Sequence, residues 1–297
     1  GDKILISSYN CPQYIYSFVG SLFYGTIMVP LDFHNSRQFI KKIIKETDAK
    51  LVISSEFKVL DLEDIEVLPV EGLDDMLKDL KPSAPYFDIK DDDLLQILYT
   101  SGTTSQPKGV LLTHENIYSN MIAVKKHIEI KPTFKFFSII PLSHMFEQQG
   151  GLFVLIASGA QTIHVKARKP YEIKKLLKQE QVTILVTVPA FLDVLKKAIQ
   201  EKIRQKGKEE LFKNMMNISS KIPFKTRRIL FKTIHKELGG KLTKVVSGGA
   251  PLKKETELFW ERLGVKVIQG YGLTETSPVL TAEPEDERKI GTVGVPV

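Results

Sequence analysis

The sequence predicts an α/β fold of two doubly wound subdomains with largely parallel sheets, and three observations carry that expectation. Short apolar runs of strand length alternate with longer stretches of helical apolar spacing along most of the chain. Several glycine-rich clusters, among them SGGAPL at 247–252 and GYGLTETSP at 270–278, directly follow such runs, as turns leaving buried strands do. At 297 residues, 42% of them hydrophobic and 26% charged, the chain can bury two cores without a disulfide or a repeat.

Taken in order, a strand at 3–7 is followed by a helix at 12–24, a strand at 27–31, an amphipathic helix at 36–47 and a strand at 50–54. The signal weakens over 55–90, where 67–70 fits a strand and 73–80 a helix. Pro82, Pro85 and the acidic run Asp91, Asp92 and Asp93 then punctuate the chain. Adjacent aspartates before a strand make a solvated turn, and no chemistry is assigned to them. The division follows that punctuation: 1–90 is the first subdomain, 91–290 the second, and 291–297 begins a further region.

Within the second subdomain, strands are expected at 94–99, 110–112, 134–140, 161–165, 183–188, 242–247 and 265–269. Thr113 can cap a helix beginning at His114, a helical stretch runs through Ile156, and further helices cover 170–179 and 254–263. Pro189 opens a helix at its favoured first turn. Residues 196–240 form a helical insertion of two or three helices, interrupted near 219–223.

The net charge of +7 is concentrated rather than spread. Residues 196–244 hold fifteen Lys or Arg against four Glu, so the remainder is net acidic. No aromatic interleaving or nucleic-acid module accompanies the basic stretch, so no nucleic acid is expected, and an anionic membrane surface is the better-matched partner. The single cysteine, Cys11, cannot form an internal disulfide, and no signal peptide or membrane span is visible. Together these point to a cytoplasmic protein, peripheral at most.

The densest chemistry lies in YTSGTTSQPKG, residues 99–109. Its hydroxyls on Thr100, Ser101, Thr103 and Thr104, the freedom of Gly102 to turn backbone N–H groups inward, and the charge of Lys108 suit an oxyanion held between two buried strands. It is not the common nucleotide loop, which needs Gly directly before Lys and Ser or Thr directly after; here Pro107 precedes Lys108 and Gly109 follows.

YTSGTTSQPKG, SGGAPL and GYGLTETSP, in this order and spacing, resemble the motifs of the adenylate-forming superfamily, and the resemblance spans nearly the whole chain. PLSHMFEQ at 141–148 and the basic insertion are most similar to long-chain fatty acyl-CoA synthetases. The resemblance implies ATP and coenzyme A as co-substrates with a fatty acid, and Mg²⁺ as cofactor. It places Ser101, Gly102, Thr103, Thr104 and Lys108 on the β- and γ-phosphates and counts Thr100 among the nucleotide-binding residues. Gly249, Ala250 and Pro251 line the adenine pocket with Gln269, Gly270, Tyr271 and Gly272.

The residues suit those roles: the glycines admit a flat base closely, and Tyr271 offers it a ring face. By the same resemblance Thr274 meets the α-phosphate, Glu275 binds Mg²⁺ and both count with His144 as catalytic. His144 also adjoins the acyl pocket with Phe146 and Gln148. Where some long-chain members carry a gating aromatic residue, this chain has Gln148, which leaves Phe146 as the aromatic candidate.

Such proteins continue past GTVGVP into a β-barrel region and a mobile C-terminal domain that supplies a catalytic lysine. The expectation is therefore a chain truncated before both, which binds ATP weakly alone and does not turn over. Two further readings stay open: activation of another carboxylic acid or transfer to an acyl-carrier protein, and a non-catalytic nucleotide- or lipid-binding module.

Overall fold

The computed structural model describes residues 1–55, 62, 65–84, 87–100, 107–165 and 170–297. It contains two compact units, each assembled from three separated segments. The first comprises 1–121, 141–149 and 274–278, and the second 122–140, 150–273 and 279–297.

The first unit is built on a six-stranded sheet. Its strands are β1 (Lys3–Ser7), β2 (Ile27–Pro30), β3 (Leu51–Ser54), β4 (Glu66–Pro69), β5 (Leu94–Thr100) and β6 (Lys108–Thr113), in the order β4-β3-β1-β2-β5-β6. All pairs are parallel except β5 with β6, which form an antiparallel hairpin. Leu5, Val29, Val52 and Ile97 from four strands pack with Ile40 and Ile43 in its core.

The helices of this unit are α1 (Pro12–Phe23), α2 (Arg37–Thr47), α3 (Leu73–Leu77), most of α4 (His114–Lys125) and the single turn α5 (Met145–Gln148). Helix α2 shows the local logic. Ser36 Oγ accepts from the Phe39 N–H at 3.2 Å, Ile40, Ile43 and Thr47 face inward, and Asp48 ends the helix at φ 52°. Thr113 caps α4 as its sequence position predicts: its Oγ1 accepts from the Asn116 N–H while Asn116 Oδ1 accepts from the Thr113 N–H.

Two expectations change here. Strand β6 is an edge strand with most of its residues exposed or half-buried, Leu111 among the exposed, so only one of the two strands flanking the hydroxyl-rich loop is buried. The division at position 90 also gives way, because β5 pairs with β2 and brings β6 with it into the first sheet. Strand pairing, rather than the acidic punctuation, sets the boundary.

The second unit has a seven-stranded sheet. Its strands are β7 (Lys135–Ser138), β8 (Gln161–His164), β9 (Ile184–Thr187), β10 (Lys244–Ser247), β11 (Lys266–Gly272), β12 (Val279–Ala282) and β13 (Val295–Pro296), ordered β13-β12-β11-β10-β9-β7-β8. The β8-to-β11 portion is parallel, and β12 and β13 close one edge antiparallel. Its helices are α6 (Val154–Ile156), α7 (Pro170–Glu180), α8 (Pro189–Arg204), α9 (Glu209–Ser219), α10 (Phe224–Leu230), α11 (Lys232–Glu237) and α12 (Lys254–Leu263).

The basic insertion thus consists of the end of α8 and three short helices, with its break between Ser219 and Phe224 where the sequence predicts it. Phe137, Leu185 and Val245 of the sheet pack against Leu177, Leu192, Phe259 and Trp260 of these helices and Phe231 between α10 and α11. The stretch through Ile156 is not one helix. A π-helical turn over Gln149–Phe153, containing Gly150 and Gly151, separates α5 from α6. No helix among the described residues is long and apolar enough to cross a membrane.

Two tests bear on this fold. Gly239 sits at φ 88°, and a Cβ there would lie 2.4 Å from the Leu177 carbonyl oxygen, whereas Gly207 at φ 60° has open space around it. In chemical denaturation Gly239→Ala should cost about 2 kcal/mol or more and Gly207→Ala about 1 kcal/mol, the difference being backbone collision rather than dihedral preference. Equal losses would contradict the packing of α11 on α7.

The second concerns His164 on β8, which burial pushes down to about 4 from an ordinary 6.5. Below pH 6.5 the unfolded chain takes up a proton that the folded chain refuses. The stability contributed by the neutral ring is therefore present above pH 6.5 and lost as pH falls toward 4. Melting temperatures of His164→Gln should fall less across pH 6.5 to 4 than those of the parent.

Candidate functional site

In a parallel sheet the strands share one direction, so loops leaving their C-terminal ends gather along one edge. In the first unit β2 and β5 run parallel, and Asp32 and Thr100 follow from their C-terminal ends. There a cleft of about 420 Å³ is lined by Asp32, Tyr99, Thr100, Pro107, His144 and Thr274, among others. Both described ends of the hydroxyl-rich loop, the histidine of PLSHMFEQ and the threonine of GYGLTETSP therefore line one cavity. Ser101, Gly102, Thr103 and Thr104 lie outside the described residues.

The loop's last residues are placed by the β5–β6 hairpin, which pairs Thr100 with Lys108 and Tyr99 with Gly109. Lys108 is exposed. A Cβ on Gly109 would lie 3.0 Å from Ile97 Cγ2 and 3.4 Å from the Tyr99 ring, so the glycine lets the tyrosine lie across the hairpin.

His144 is held by its neighbours rather than by its own ring. The Leu142 N–H donates to Asn10 Oδ1 at 2.8 Å, and the Leu142 carbonyl accepts from Gln148 Nε2 at 2.8 Å. Gln96 Nε2, on β5, donates to Gln148 Oε1 at 2.7 Å. These contacts fix the 141–144 segment, and His144 then stands at the N-terminal end of α5, where its carbonyl accepts from the N–H groups of Glu147 and Gln148. Its Nε2 lies 3.8 Å from Asp32 Oδ2, a charge-pair distance beyond hydrogen-bond reach.

Of the three candidate acyl-pocket residues, His144 alone lines the cleft. Phe146 is half-buried, and Gln148 is fully buried with both ends of its amide engaged internally. The supporting residues Asn10, Asp32 and Gln96 carry no motif signal. Only the polarity of Gln96 inside an otherwise apolar strand sequence marks it.

Thr274 and Glu275 open a 3₁₀ turn, Thr274–Thr276, in the first unit. The turn is closed by the Ser277 N–H donating to the Thr274 carbonyl at 3.2 Å, and Asn120 Nδ2 donates to the Thr276 carbonyl at 3.4 Å. Glu275 is exposed. Among the described residues no group of three His, Cys, Asp or Glu side chains could chelate an ion. A single accessible carboxylate still fits Mg²⁺, which keeps several waters and takes one or two carboxylates together with substrate phosphates.

The base-side candidates lie in the second unit, at the ends of its central strands. Gly249 follows β10 at φ 77°, a turn that a side chain would strain, and Ala250 and Pro251 after it are exposed. Gln269, Gly270, Tyr271 and Gly272 end β11. Tyr271 is half exposed and presents its ring to solvent, while Gly270 approaches the Thr281 carbonyl so closely that a Cβ would lie at 3.2 Å.

Gln269 points inward: its Nε2 donates to Glu257 Oε2 at 3.0 Å, and its N–H donates to Glu283 Oε2 at 3.1 Å. Glu257 and Glu283 are both buried. Burial, chiefly, pushes the Glu257 carboxyl above the usual carboxylate range, opposed by the Gly291 N–H at 2.9 Å. Glu283 further accepts from the Lys289 N–H and the Thr292 hydroxyl. This frame ties the glycine-rich 291–294 stretch to the strand that carries Tyr271, and the sequence gives no hint of it beyond ordinary charged residues.

Largely parallel sheets with glycine turns leaving their strand ends define an open-sheet α/β protein whose candidate residues gather at the strand ends. The chain belongs to the AMP-binding enzyme family, whose match covers residues 1–297. It is 30% identical over 257 residues to a long-chain-fatty-acid–CoA ligase of Rattus norvegicus, covering 78% of this chain and 35% of that protein. It is 28% identical over 253 residues to a chloroplastic long-chain-fatty-acid–acyl-carrier-protein ligase of Arabidopsis thaliana, covering 70% and 34%. The chain spans about a third of the length of these relatives.

Among solved structures, it superposes on the N-terminal domain of FACL13 from Mycobacterium tuberculosis with a TM-score of 0.78 at 20% identity, covering 99% of this chain and 69% of that one. ATP-bound MatB from Rhodopseudomonas palustris gives 0.78 at 22%, covering 100% and 55%. These likenesses establish the α/β fold.

Gln148→Ala would leave the buried Leu142 carbonyl without its side-chain donor, at about 1–3 kcal/mol, and Gln96 Nε2 with Met145 Sδ at 3.4 Å as its remaining partner. Thermal unfolding should show that loss, and Phe146→Leu should show a much smaller one. The reverse order would mean that Gln148 is not the structural clamp.

Proposed function

We propose that this chain is the ATP- and acyl-binding part of an AMP-forming ligase that activates a long-chain fatty acid as its adenylate and passes the acyl group to coenzyme A. The observation that carries the reading is the first-unit cleft where Thr100, Pro107, His144 and Thr274 converge. It supplies hydroxyl donors and an imidazole at one strand edge, within a chain of the AMP-binding family.

The chemistry requires an anion to attack an anion. A carboxylate oxygen forms a bond to the α-phosphorus of ATP, the α–β phosphoanhydride breaks, and pyrophosphate leaves with the electron pair. The thiolate of coenzyme A then attacks the acyl carbon and AMP departs. Every step needs charge cancelled and reactants aligned.

In this reading Thr100, Ser101, Gly102, Thr103, Thr104 and Lys108 grip the β- and γ-phosphates, and Thr274 donates to the α-phosphate. His144 meets the acyl carboxylate, with Asp32 Oδ2 3.8 Å from its Nε2. Gly249, Ala250 and Pro251 border the adenine, Gln269 braces the strand beneath it, and Tyr271 stacks on it between Gly270 and Gly272. Glu275 is the carboxylate for Mg²⁺, which when bound neutralises phosphate oxygens. The acyl chain is expected beside Phe146, with Gln148 as support.

The basic 196–244 stretch, with Ile218 and Ile229 exposed beside its lysines and arginines, suits peripheral contact with an anionic membrane where fatty acids partition. Co-sedimentation with acidic liposomes should then fall steeply with salt, and salt-independent binding would exclude this contact.

ATP binding by this chain, measured by calorimetry, and ATP–pyrophosphate exchange by the full-length protein over a panel of carboxylates test the central reading. Long-chain fatty acids should support exchange and amino acids should not; exchange with aryl or amino acids alone would overturn the substrate class. Lys108→Ala and Thr274→Ala should each lower exchange by about 10²-fold at unchanged melting temperature. Absence of any nucleotide binding would overturn the adenylation reading itself. Comparing coenzyme A with acyl-carrier protein as acceptor decides between the activities named for the two relatives above.

A further inference from the structure

A groove of about 230 Å³ opens among the helices of the second unit. Its lining comes from α7, α8, α9, α10, α11 and their connections, and includes none of the strand-end glycine motifs. The floor is apolar and recessed. Phe231 and Leu238 are 1% and 2% exposed, and Ile199, Phe212, Met215 and Ile234 are half-buried above them. At the lip, Leu211 is 56% exposed.

The rim carries Lys174, Lys202, Lys206 and Lys208 against a single carboxylate, Glu237. Glu237 Oε2 takes two of them, with Lys202 Nζ at 2.7 Å and Lys174 Nζ at 3.1 Å. Among the described residues Lys206 and Lys208, on the exposed turn between α8 and α9, have no carboxylate partner. Lysines at the end of α8 complement its dipole, but the dipole does not account for the apolar recess beside them.

A concave apolar floor beneath unneutralised ammonium groups is complementary to a molecule with one alkyl chain and one anionic head. A bilayer makes the opposite demand: it needs apolar side chains that protrude, whereas the groove residues other than Leu211 recede. We propose that the groove binds a single-chain alkyl carboxylate taken up from water, with the chain lying along Phe212, Met215 and Ile234 and the carboxylate between Lys206 and Lys208. The proposal needs no nucleotide and does not rest on the adenylation reading. It gives the second unit an acyl-ligand site of its own, through which free fatty acid can act on helices that pack against the sheet carrying Tyr271.

The six methionines allow a direct test on the 297-residue chain by ¹³C-methyl NMR, with Met215 assigned through Met215→Leu. Titration with monomeric dodecanoate should shift the Met215 methyl saturably. The midpoint should rise about tenfold in the double variant Lys206→Glu/Lys208→Glu, which replaces two attractive contacts by repulsive ones at an exposed turn and leaves the other methyl signals unmoved. Uncharged dodecyl maltoside below its micelle concentration should produce a much weaker shift. The proposal fails if Met215 does not respond, if the charge reversal leaves the midpoint unchanged, or if both amphiphiles act equally. It also fails if Met215 responds only to anionic phosphatidylglycerol vesicles, which would make this face a membrane contact instead.

Discussion

The constraint on which the molecule depends is the common direction of paired parallel strands. Parallel pairing puts the C-terminal ends of β2 and β5 on one edge of the first sheet, and those of β9, β10 and β11 on one edge of the second. The residues that leave those ends need not be close in sequence to become neighbours. Asp32 and Thr100 share a cleft across sixty-odd positions because their strands are paired. The motif loops can then be polar and glycine-rich, since the buried strands beneath them carry the stability.

A second layer of support is polar and buried, and the two units solve it differently. In the first, side-chain amides hold the backbone of Leu142, with Asn10 on its N–H, Gln148 on its carbonyl and Gln96 behind Gln148. In the second, carboxylates anchor the strand ends. Glu261 accepts from the Val267 N–H and from Arg288, and Glu285 joins Lys244 and Lys266. Buried charges of this kind are costly to break and specify one arrangement more than they add stability. Their cost is met where the chain must hold an irregular, glycine-rich path in one register.

The helical insertion shows how charge can serve two purposes. Arg228 donates to the carbonyls of Leu242, Gly240 and Gly264, which stitches α10 to the connections around β10 and α12. Glu237 lies between Lys174 and Lys202, which hold its carboxyl down to about 2, so that link persists until strongly acid pH. The remaining lysines of the α8–α9 turn stay available at the rim of an apolar groove. A basic segment that reads in sequence as one uniform patch is thus divided into structural and accessible cations.

The sequence by itself determined the alternation of strands and helices, the cap at Thr113, the start of α8 at Pro189, the break after Ser219 and the motif residues themselves. Each of these is written in local periodicity, in backbone chemistry or in a short contiguous pattern. Only the tertiary structure decided that β5 and β6 belong with the first sheet, that β6 is exposed, and that the 149–153 turn is π-helical. It also decided that the Gln148 amide is buried and hydrogen-bonded at both ends, that Asn10 and Gln96 support the first-unit cleft, and that Glu257 and Glu283 brace the strand that carries Tyr271. These are pairings between residues far apart in the chain, and a lone buried amide or carboxylate has no sequence signature until its partner is beside it.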